Sequence, residues 1–184
     1  MNDAQRIAWI DQSDAEVSAN IRRYGTHIVY VSWDGGCSAP GCSGGDPSDG
    51  PPFGYTVGLF GLGHPELLIF GANAETTAGV LNELTERIRA GADLVPGELV
   101  TFTGWPHRIV VESVPNPGQI VFEANRFYLR PDEASVPVLQ LSYDDREGRF
   151  PWEPGYAAPD TQPRRWPVRP AGRRPQTVSA RTRM

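Results

Sequence analysis

The sequence predicts an α+β fold, a mainly antiparallel sheet with an N-terminal helix and one helix packed across the sheet. Three observations carry this. Val80, Leu81, Leu84 and Ile88 recur at helical spacing between Asn73, a residue suited to an N-cap, and Gly91, a residue suited to a stop, so residues 73–90 read as an amphipathic helix. Short β-branched and apolar runs stand on both sides of it. Their order is helix, two or three strands, helix, then several strands, which departs from the regular strand–helix alternation of a parallel sheet.

The elements follow in order. Residues 3–24 read as a helix, with Ile7, Ile10, Val17 and Ile21 near helical spacing and Gly25 placed to end it. THIVYVSW (26–33) is a strand by its β-branched and aromatic content. FGYTVGLF alternates as a strand, and ELLIFG is a short apolar run that suits a buried one, with GLGHP connecting them. GELVTFTGWPHRIVVESV reads as two strands joined around Gly104 to Pro106, and VPVLQLSY as another, while QIVFEANRFY fits strand or helix.

A chain of 184 residues suits one domain with a real core, here residues 1–162, and a tail. Charge divides the same way. Residues 1–162 carry ten Arg and all twenty-two acids, a balance of −12, while residues 163–184 add seven Arg and no acid. That Pro- and Arg-rich tail is expected to be disordered, either a solvated extension or an arm for an acidic partner; nucleic acid would be reached through it alone. No apolar run is long enough to span a bilayer, and the polar, acidic start is unlike a signal peptide, so a cytoplasmic setting is expected. Every basic residue is arginine, which fits a GC-rich bacterial genome.

YTVGLFGLGHPELLIFG, the Leu81-Asn82 pair, the PGE at 96–98 and LQLSYDDREGRFPWEPGY (139–156) together resemble the bacterial family known as domain of unknown function 4262, over about residues 25–162. The resemblance implies a small bacterial cytosolic domain and brings no established reaction with it. Residues 34–51, rich in Cys, Gly and Pro, look like an insertion relative to the family pattern.

Cys37 and Cys42 have a spacing seen at some zinc sites, with Asp46 or His64 as further ligands, but no second close pair exists, and no metal site is predicted. His64 and Glu66, flanking Pro65 in the HPE turn, are the candidate catalytic pair, because an imidazole beside a carboxylate can tune proton transfer. The competing reading is a turn in which Pro65 fixes strand entry and Glu66 accepts backbone N–H groups. Tyr55, Asp144 and Trp152 are the candidate ligand-binding residues. Asp144 and Asp145, adjacent on a strand, point to opposite faces and do not share a proton. Phe150, Trp152 and Tyr156 read as an aromatic lid over the sheet. His107, taken to lie at a hairpin tip, reads as a solvated turn histidine.

The expected function is a small-molecule-binding module with its pocket near the HPE turn. Alternatives are a small enzyme using the His64/Glu66 acid–base pair, a flavin-binding protein of split-barrel type, and an interaction protein acting through its arginine-rich tail. The sequence specifies no cofactor and no oligomeric state.

Overall fold

The computed structural model describes residues 2–32, 50–131 and 133–163. Expectations about Cys37, Cys42 and the tail from residue 164 onward lie outside the described residues.

Helix α1 (Asp3–Tyr24) begins at a capping box, in which the Asn2 side chain accepts the Gln5 N–H and the Gln5 side chain accepts the Asn2 N–H. It ends at Gly25, whose φ of 91° lies in the left-handed region that glycine adopts without strain. Strand β1 (His27–Val31) follows, then β2 (Phe53–Val57), a 3-10 turn (Leu59–Leu62) and β3 (Glu66–Phe70). Helix α2 (Ala74–Arg89) is capped by Asn73, which accepts the Thr76 N–H. Beyond it lie β4 (Leu99–Phe102), β5 (Trp105–Ser113), the short helix α3 (Phe122–Phe127) and β6 (Val138–Tyr143).

The six strands form one sheet in the order β1-β2-β3-β6-β5-β4. All neighbours are antiparallel except β3 and β6, which run parallel with Glu66 opposite Val138. The α+β expectation with a mainly antiparallel sheet is met. The central strands β2 and β3 are buried along their whole length, and β6 nearly so, while β4 alternates. This explains why ELLIF carries no polar alternation: helices cover both of its faces.

On one face α2 packs Val80, Leu81, Leu84 and Ile88 against Leu67, Ile69, Ile109, Val111, Leu139 and Leu141. Gly54 permits the close approach of α2, since a Cβ there would stand 2.4 Å from Thr77 Cγ2. On the other face Val17 of α1 and Ala124 of α3 close over Phe53, Tyr55, Val57, Leu68, Phe70 and Val138. The ambiguous QIVFEANRF segment is thus resolved as a helix, and the apolar residues Ile120 and Val121 leading into it are buried in this second layer. Leu59 and Phe60, expected to extend β2, belong instead to the 3-10 turn.

After β6 the chain returns across the sheet and is pinned by Gln162. Its Oε1 accepts the Tyr143 N–H at 2.9 Å, and its Nε2 donates to the Tyr143 carbonyl at 2.9 Å and to the Tyr156 hydroxyl. A buried side-chain amide thus replaces a strand neighbour for Tyr143. The nearly isosteric Gln162→Leu would leave these backbone groups without partners. It is expected to lower stability by about 2 kcal/mol in urea unfolding, with the fold retained; an unchanged midpoint would show that the return segment is not anchored there.

Candidate functional site

The HPE turn is built around a buried carboxylate. Glu66 is fully buried at the start of β3. Its Oε2 accepts the Thr56 hydroxyl at 2.6 Å and the Leu59 N–H at 3.3 Å; its Oε1 accepts the Gly58 and Phe60 N–H groups at 2.8 and 3.0 Å. Three of these donors are backbone amides opening the 3-10 turn, groups that have no partner within the turn itself. Thr56 completes the unit by accepting the Leu67 N–H at 2.9 Å. Burial pushes the Glu66 carboxyl above its ordinary range, and the Thr56 hydroxyl and the three amides oppose that shift. The Glu66 charge also acts on Tyr128, whose phenol is pushed up to about 12, chiefly by burial.

His64 turns the other way. Its Nδ1 lies 2.7 Å from the Pro65 carbonyl and its Nε2 3.3 Å from the Leu94 N–H. A neutral ring with its proton on Nδ1 satisfies both contacts, donating to Pro65 and accepting from Leu94. Asp93 Oδ1 stands 3.8 Å from Nε2 at the exposed edge. Leu94 belongs to the α2 layer and Tyr128 packs on the opposite one. The two candidate catalytic side chains therefore diverge about Pro65, and each is engaged in holding a loop.

Tyr55 is buried in the α1/α3 layer, where its hydroxyl accepts the Glu123 N–H at 3.2 Å at the start of α3. Desolvation holds its phenol above the usual range. Asp144 lies at the opposite end of the sheet from Glu66. The parallel register sets Glu66 beside Val138, and six residues of β6 then span about 20 Å before Asp144 is reached. The five sequence-derived candidates do not converge on one cavity.

Asp144 organises that far end. It is buried, and it accepts the Arg108 N–H on Oδ1 at 2.9 Å and Arg108 Nε on Oδ2 at 2.6 Å. His107 Nδ1 stands 3.3 Å from the same Oδ1. Arg108 also donates from Nη2 to the Gly148 carbonyl and lies over the Phe150 ring, whose other neighbour is the parallel-stacked Trp152 at 4.9 Å. Asp144 and Asp145, expected on a strand, both lie past the end of β6 at Tyr143, and Asp145 accepts the N–H groups of Glu147, Arg149 and Ala157 within the following loop. The DDREGRFPWEPGY segment is thus a loop wound around two carboxylates with separate tasks.

Sequence reasoning missed two things here. His107 sits within β5, two residues past the hairpin turn, and its ring packs edge-on to Trp105 and Tyr143 at centroid distances of 5.0 and 5.9 Å. The period-2 set Trp105, His107, Ile109, Val111 was the available signal, because it puts His107 on the core-facing side. The second is a cleft of about 310 Å³ between α2 and the β4–β5 hairpin, walled by Val80, Phe102 and Trp105 and rimmed by Glu75, Thr76 and Glu83. A further cleft of about 420 Å³ separates the C-terminal halves of α1 and α2 and includes Asn20, Tyr24, Asn82 and Arg89. Among the described residues no group of three or more His, Cys, Asp or Glu could hold a metal ion, and no helix is long and apolar enough to cross a membrane.

These features define an α+β domain with an open six-stranded sheet, helices on both faces and a carboxylate-centred motif at each end of the β3–β6 pair. The chain belongs to the family described as domain of unknown function (DUF4262), which matches residues 20–157. No curated protein and no solved structure matches it.

The Glu66 geometry has a direct consequence for stability. Glu66→Gln keeps the size but presents an amide NH2 to donors that need acceptors, and it is expected to destabilise the fold by roughly 2–4 kcal/mol. Denaturant unfolding of the purified variant checks this; a loss below about 0.5 kcal/mol, the scale of a neutral surface change, would contradict it.

Proposed function

We propose that the domain is a small-molecule-binding module of the bacterial cytosol whose ligand seat is the cleft between α2 and the β4–β5 hairpin. The observation that carries this is the lining: two fixed aromatic rings and Val80 supply apolar area, and Glu75, Thr76 and Glu83 supply a few convergent polar groups, the usual chemistry of a ligand site at the lower end of the usual size range. The rings are held before any ligand arrives. Phe102 and Trp105 meet edge-to-face at 5.5 Å, and Arg87 lies over Phe102 at 4.9 Å while donating to Glu83 and to the Thr101 carbonyl. A preformed wall of this kind spares the entropy of ordering side chains on binding.

In this reading His64 and Glu66 serve the frame. Their polar atoms are already taken up by Leu94, Pro65, Thr56 and the 3-10 turn, which favours binding by the domain over proton transfer at the HPE turn. A metabolite panel screened by thermal shift, followed by calorimetry on the hits, tests the proposal. Trp105→Ala is expected to weaken a hit at least about tenfold with the circular dichroism spectrum unchanged. Equal affinity in wild type and Trp105→Ala would overturn the assignment of the seat.

A further inference from the structure

His107 follows Trp105 on the same face of β5, and its two ring nitrogens have opposite surroundings. Nδ1 is buried and completes no hydrogen bond, yet it faces the buried Asp144 carboxylate at 3.3 Å. Nε2 has no partner among the described residues and is not buried, on a side chain that is 21% exposed. Arg108 grips Asp144 through its backbone N–H and its Nε, so the carboxylate cannot rotate away from the imidazole. Trp105 and Tyr143 pack edge-on to the same ring and restrict its rotation.

We propose that His107 and Asp144 form a proton-accepting pair, in which Asp144 is the positioning residue and the outward Nε2 of His107 is the acceptor for a hydroxyl- or ammonium-bearing small molecule lying against Trp105. The tautomer follows from electrostatics. A lone pair on Nδ1 would face a carboxylate oxygen at close range with no donor between them, whereas a proton on Nδ1 turns that approach into an attraction. With the proton held on Nδ1, the free electron pair of the ring resides on Nε2 and projects outward. A donor O–H or N–H placed there gives its proton to Nε2 and keeps the bonding electron pair on its own oxygen or nitrogen; Asp144 then faces the imidazolium that results. The identity of the donor rests on the cleft beside Trp105 being the ligand seat, while the tautomer does not.

The test is imidazole nitrogen NMR on the full, uniformly ¹⁵N-labelled chain at a pH where the rings are neutral, with His107→Gln to assign the signals. The other two histidines are internal references: the contacts of His64 require a proton on Nδ1, and Nδ1 of His27, which lies 2.9 Å from the Asn20 amide nitrogen, requires one on Nε2. His107 is expected to match His64, and Asp144→Asn is expected to move it toward the Nε2–H form. A wild-type His107 with its proton on Nε2, or a tautomer unchanged by Asp144→Asn, would overturn the pair. Should that variant not fold, the wild-type spectrum alone decides. Titration with ethanolamine, which carries both donor types, is expected to shift the His107 Nε2 and Trp105 indole signals together. Signals that stay still while His107 keeps its Nδ1 proton would overturn the ligand seat and leave the pair standing.

Discussion

The buried carboxylate of Glu66 is the constraint around which this fold is arranged. An ionised carboxylate without partners would be very costly inside a protein, so its position fixes where donors must be. The chain meets that demand from the turn between β2 and β3 and from the Thr56 hydroxyl. One side chain thereby sets the end of β2, the shape of the 3-10 turn and the start of β3, the strand that bridges the two halves of the sheet. The neighbouring His64 extends the same device to the loop after α2 through Leu94.

A second carboxylate, Asp144, plays a related part at the other end of the β3–β6 pair, with a different outcome. Its partners come from a side chain and a strand end, and one of them, His107, keeps an open nitrogen. Where Glu66 is saturated, Asp144 leaves a neighbouring group available. This contrast, and the cleft walled by Trp105, the ring against which His107 packs, move the functional interest from the HPE turn to the β4–β5 hairpin.

How much of this could be read in the sequence depended on how local the determinants were. Helices α1 and α2 were legible with their ends, because Gly25 and Asn73 act on backbone groups within one turn of themselves. The strands were legible from β-branched and apolar runs. Helix α3 was not, since six residues beginning FEA carry too little period to separate helix from strand. The turn after Val57 was misjudged because Leu59 and Phe60 look like strand residues, and only the later Glu66 explains why their amides turn inward. Glu66, His64 and Asp144 were all legible as residues of consequence, but not their directions. His64 and Glu66 lie two apart and diverge, whereas His107 and Asp144 lie 37 residues apart and meet. Sequence distance is a poor guide to side-chain convergence once a sheet reorders its strands.

The central claim is that the Glu66 carboxylate holds the opening of the 3-10 turn as firmly as the core. Native-state amide hydrogen exchange reads this directly at Gly58, Leu59 and Phe60. If the claim holds, these three amides, in a short turn between strands, exchange with free energies close to that of the β3 core amides of Leu68 and Ile69. Exchange at the rate of an ordinary exposed turn, with the β3 amides still protected, would show that the carboxylate does not bind the turn and would contradict the account.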